Sequence, residues 1–144
     1  MKRIKLAIGC LAACIAACPA AGGVAAQGQT VMVVRGPTVV AFFKPVSDKV
    51  IEKDTGTNEA LSDFQLYSRQ VRGPLQQRGV EFQEMYATSF RVQDGNRVVL
   101  FRPGKVKVGY YFVSPGKKPL IQYGVMTDAD VLRMADEYFG TAAR

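Results

Sequence analysis

The amino-acid sequence predicts one mixed α/β domain behind an N-terminal leader. Three observations lead there. The run Thr38-Val39-Val40-Ala41-Phe42-Phe43 is apolar or small on both faces of its alternation, the mark of a central strand. A helical stripe follows it, and a strand-turn-strand pattern and a capped helix close the chain.

The leader reads Met1-Lys2-Arg3-Ile4-Lys5, then an apolar run from Leu6 to Ala17, Pro19, and small residues up to Val24-Ala25-Ala26. These are the n-, h- and c-regions of a secretory signal peptide. The apolar run falls short of the ~18 residues that span a membrane, so the segment 1–26 is expected to be removed and the rest exported, periplasmic or secreted. Two processing sites compete. Val24-Ala25-Ala26 before Gln27 carries the small residues that signal peptidase requires. Leu11-Ala12-Ala13-Cys14 and Ile15-Ala16-Ala17-Cys18 both resemble a lipobox, and Cys18 is the candidate lipidation site of a membrane-anchored lipoprotein. Pro19 or Ile15 after the cysteine departs from the small or polar residue usual there, which favours the soluble form.

The remaining chain, 27–144, is sized for a single domain and holds no low-complexity run or repeat. Val31 to Val34 is the first strand, and Thr38 to Phe43 the central one. Asp54-Thr55-Gly56-Thr57-Asn58 supplies turn and cap chemistry before a helix over Asn58 to Arg78. In it Ala60, Phe64, Tyr67, Val71 and Leu75 share one face; Gly73-Pro74 is expected to kink or weaken it, and Gly79 to end it. Val80 to Tyr86 is the next strand. Between 87 and 107 a hairpin around Asp94-Gly95 competes with a short helix near Phe90. Val108 to Val113 and Pro119 to Tyr123 flank the turn Ser114-Pro115-Gly116-Lys117. Thr127 caps a last helix whose face is Val131, Met134, Ala135 and Tyr138.

Composition removes most catalytic chemistries. With no histidine among 144 residues there is no Ser-His-Asp or Cys-His unit and no histidine metal site. The three cysteines are Cys10, Cys14 and Cys18, all in the leader, so a chain beginning at Gln27 is expected to lack thiol-disulfide activity. No residue set points to a metal or a cofactor. The net charge of +7 loses Lys2, Arg3 and Lys5 with the leader, leaving a modest excess suited to solubility.

Two stretches give the chain a family likeness. Phe42-Phe43-Lys44-Pro45-Val46-Ser47-Asp48-Lys49-Val50 resembles the thioredoxin segment that leads from an aromatic strand end through proline into the CxxC helix. Tyr110-Tyr111-Phe112-Val113-Ser114-Pro115-Gly116-Lys117, with Tyr123-Gly124 and the Thr127 helix, is similar to the closing half of a thioredoxin domain. The resemblance implies a thioredoxin-like three-layer sandwich, a mixed central sheet with flanking helices. The family's cysteines then fall on Ser47 and Val50 and its cis-proline on Val108. A member without these groups resembles the family's non-catalytic binding or assembly modules.

Three clusters are candidates for function. Ser47, Asp48 and Lys49 stand where ligands of open α/β sheets gather, and a Ser–Lys pair can supply nucleophile and base to a small exported enzyme; a cap or turn role is the simpler reading. Arg97, Arg102, Lys105 and Lys107, with Lys117 and Lys118, form a basic series suited to an anionic envelope component, or to solvated edges that discourage aggregation. No recognition motif points to nucleic acid. The aromatic series Tyr86, Tyr110, Tyr111, Phe112, Tyr123 and Tyr138 reads as core, whereas an exposed tyrosine beside Arg97 or Arg102 would mark a ligand platform. The reading is therefore of an exported module that binds a protein or envelope partner. Mass spectrometry of the exported protein should find an N-terminus at Gln27 or a lipid-modified Cys18, and an intact Met1 there would refute both.

Overall fold

The computed structural model describes residues 30–47, 49, 53, 55–105 and 107–141. The elements are β1 (Val31–Val34), β2 (Thr38–Phe43), α1 (Thr55–Gln77), β3 (Glu81–Tyr86), β4 (Phe90–Asp94), β5 (Arg97–Phe101), β6 (Val108–Val113), β7 (Leu120–Tyr123) and α2 (Asp128–Phe139). Every residue of β2 is buried, as the two-sided apolar run requires. It pairs parallel with β3 and antiparallel with β6, which pairs antiparallel with β7, giving a four-stranded sheet of order β3-β2-β6-β7.

The two faces of β2 meet different partners. Val39, Ala41 and Phe43 pack with Phe64, Val71 and Leu75 of α1 and Val131 and Ala135 of α2. Val40 and Phe42 face Met32, Val34, Phe90, Val92 and Phe101, which belong to a second sheet of order β1-β4-β5. The molecule is thus a three-layer α/β sandwich: helices, four-stranded sheet, three-stranded sheet. Here the expectation of helices flanking the central sheet needs correction. Both described helices lie on one face, and the 87–107 region forms the β4–β5 hairpin, to which β1 adds in parallel. The physical reason lies in the alternation of Phe90, Val92 and Phe101, which yields one apolar face, sufficient to cover a sheet as a helix would.

Helix ends follow local chemistry. α1 runs on through Gly73 and Pro74, its Val71 and Leu75 held fully buried on either side. It stops at Gly79, whose φ of 71° permits bonds from its own N–H to Gln76 O and from Val80 N–H to Leu75 O. Ser68, buried on the helical face, donates its hydroxyl to Gln65 O and so hides its polarity. In α2 the Thr127 hydroxyl accepts from the Asp130 N–H, and Gly140 closes the helix in the left-handed conformation. The Arg78 guanidinium donates to Asp136 Oδ1 at 3.0 Å and to Pro74 O, tying the end of α1 to α2.

Gly109 shows how closely the central strands approach. A Cβ there would meet Gln122 O and the Phe42 ring, each at 2.5 Å. The carbonyl belongs to β7 and the ring fills the space between the two sheets. Replacing Gly109 by alanine should therefore cost roughly 1–3 kcal/mol in urea unfolding. Phe42→Ala and Phe112→Ala should each cost roughly 3–5 kcal/mol, because both rings are fully buried. A near-neutral result at Phe42 or Phe112 would contradict this packing.

Candidate functional site

Edge strands β5 and β7 border a groove between the two sheets. Its volume is about 610 Å³. Val99, Leu100 and Phe101 form the wall on the three-stranded sheet; Tyr111, Ile121 and Tyr123 form the wall on the four-stranded one. Arg102 and Pro119 also line it. The walls are placed by register: Tyr111 lies opposite Ile121, and Gly109 lies opposite both Phe42 and Tyr123, which sets all these side chains on the face toward the second sheet.

An aromatic floor supports the groove. Phe101 lies edge-on to Phe42 with ring centres 5.1 Å apart and tilts against Tyr111 at 5.0 Å. Tyr123 meets Phe42 at 6.1 Å and remains 45 % exposed. An exposed tyrosine thus shares a groove with Arg102. At the other end of β5 the Arg97 charge acts on the Tyr111 phenol, pulling it down against the larger upward effect of burial.

The basic series divides in three. Arg97 and Arg102 stand at the two ends of β5. Lys105 and Lys107 follow in the loop to β6, which Lys44 steadies by donating to Gly104 O at 2.8 Å while its N–H bonds Lys107 O. Lys117 is drawn elsewhere: its ammonium donates to Tyr138 O and lies 5.6 Å from the Tyr138 ring centre. No continuous basic rim joins all six. Asp94, the nearest acid in sequence to Arg97, accepts from Gly116 N–H and pins the β4–β5 hairpin to the β6–β7 turn.

Ser47 and Lys49 are exposed and share no hydrogen bond. Asp48 lies outside the described residues, as does Cys18. Near the same end of the sheet Tyr86 stacks on Phe43 at 4.5 Å and accepts from Gln65 Nε2 at 3.2 Å, a feature that sequence alternation alone did not single out. The expected exclusion of thiol chemistry needs correction. It rested on loss of residues 1–26, but the chain of 144 residues carries Cys10, Cys14 and Cys18, and the exclusion is withdrawn. Among the described residues no group of acidic side chains could hold a metal ion, and no helix is long and apolar enough to cross a membrane. Comparison of the chain with protein-family models, curated proteins and solved structures returns no match.

On the helical side of β6 the Tyr110 hydroxyl is fully buried and has no hydrogen-bond partner among the described residues. Burial raises its pKa above the ordinary 10.0, and raises Tyr111 and Tyr138 in the same direction. Because the folded values lie above the unfolded ones, the stability these phenols contribute is complete below pH 10.0 and is lost as pH rises through the folded values. Tyr110→Phe removes an unsatisfied hydroxyl and should raise stability near neutrality by roughly 1 kcal/mol. It should also reduce the loss above pH 10.0, measured by urea unfolding on either side of that value.

Proposed function

We propose that this chain is an exported thioredoxin-like binding module whose β5–β7 groove is its ligand-binding surface. The leader 1–26 supports export. The strand order β3-β2-β6-β7, parallel at β2/β3 and antiparallel beyond, supports the thioredoxin-like reading together with the Phe42-to-Pro45 and Ser114-to-Gly116 motifs. The observation that carries the binding role is the groove itself: apolar walls over an aromatic floor, with half-exposed Tyr123 and Arg102 on its lining. Apolar walls supply affinity by excluding water, and the Arg102 cation selects a ligand that carries negative charge. Among the described residues Ser47 and Lys49 stand exposed without a mutual bond.

Anilinonaphthalene sulfonate, an apolar anion that fluoresces when sheltered from water, is the direct probe. It should bind the folded protein, and Arg102→Glu and Tyr123→Ala should each weaken it roughly fivefold. Lys49→Ala should leave it unchanged. Absence of binding, or binding indifferent to both groove variants, refutes the assignment.

A further inference from the structure

We infer that the groove takes its partner as an added β-strand: an extended protein segment, apolar on alternate residues and acidic at both ends, pairs with the free edge of β5. The inference rests on the binding role of the groove and goes beyond it by specifying the partner's chemistry and pose.

Backbone geometry comes first. Asp94 pairs with Arg97 across the Gly95-Asn96 turn, so the inward hydrogen bonds of β5 belong to Arg97, Val99 and Phe101. The N–H and C=O groups of Val98 and Leu100 therefore point away from β4, and β5 is the outer strand of its sheet. No other backbone bond engages them among the described residues. Protein edges are normally blunted by proline, a bulge or an inward charge within the strand. β5 reads Arg-Val-Val-Leu-Phe, pairs residue for residue with β4, and leaves Val98 at 54 % and Leu100 at 37 % exposure.

A strand added to β5 extends the three-stranded sheet over the groove. Its residues opposite Val99 and Phe101 share their face and fall toward Ile121 and Tyr123, while those opposite Val98 and Leu100 face outward. Main-chain bonds then give affinity and the alternate inward side chains give selectivity.

Charge chooses the occupant. Arg97 and Arg102 bracket a five-residue strand, about 17 Å from end to end. A single-headed amphiphile neutralises one of them; an extended segment with an acid at each end neutralises both. A second copy is disfavoured, because antiparallel pairing centred on Val99 sets each Arg97 opposite the other copy's Phe101, and the incoming strand Arg-Val-Val-Leu-Phe brings no acid to either arginine.

The probe is a blocked octapeptide in which alternating valine and threonine fill the four positions between two glutamates set five residues apart, as Arg97 and Arg102 are. Bound to the purified protein, it should slow amide exchange at Val98 and Leu100 by about tenfold or more while leaving Tyr86 unchanged. Glutamine in place of its glutamates should weaken it several-fold. Val98→Pro, which deletes an outward donor without touching a β4 bond, should abolish peptide binding yet keep binding of anilinonaphthalene sulfonate. A peptide with the same side chains, N-methylated at alternate residues, tests the same point without altering the protein and should not bind. Equal binding of the N-methylated peptide, or binding without protection of Val98 and Leu100, overturns the strand pose while leaving the groove's binding role intact. So does protection of those amides by phosphatidylglycerol vesicles or by self-association in place of the peptide. Failure of both the sulfonate and the peptide removes both readings.

Discussion

The whole arrangement depends on burying β2 from both sides. A strand whose six residues are all out of water needs a hydrogen-bonded neighbour along each edge and an apolar cover on each face. The edges are met by β3 and β6. The faces divide by the strand's two-residue period: Val39, Ala41 and Phe43 call for one cover, Val40 and Phe42 for another. Phe42 packs closely, its ring occupying the space that a side chain at residue 109 would need. Loss of that space would push against the β6–β7 pairing and the contact with the second sheet together.

The two covers are unequal in what they leave exposed. Helices satisfy their own backbone, so α1 and α2 can close one face without creating new edges. A three-stranded sheet closes the other face but brings edges of its own, and one of these, β5, lies beside the edge strand β7. The groove and the unpaired groups of Val98 and Leu100 thus follow from the choice of a sheet as the second cover. Arg97 and Arg102 set a positive charge at either end of that edge, the charge on which the proposed binding role rests.

A nucleophile and its base must meet within hydrogen-bond reach, and Ser47 and Lys49 are both exposed and share no hydrogen bond among the described residues. The groove has the opposite character: its walls come from β5, β6 and β7, whose residues converge through register and not through proximity in sequence.

Local chemistry was legible throughout the amino-acid sequence. Two-sided apolarity marked β2, the spacing of Phe64, Val71 and Leu75 marked α1, Pro115-Gly116 marked the β6–β7 turn, and Thr127 and Gly140 bounded α2; in each case the determinant is the residue's own backbone preference or periodicity. The sequence also offered Arg97 and Arg102 as candidates, and stated what an exposed tyrosine near them would mean. It could not place Tyr123 with Arg102, because the two line one groove only through the packing of two sheets. Nor could it separate a covering helix from a covering hairpin in 87–107, since either presents one apolar face. Pairing of β1 with β4, the open side between β5 and β7, and the orphaned hydroxyl of Tyr110 were decided by tertiary structure alone, because each depends on which surfaces remain after distant segments have packed.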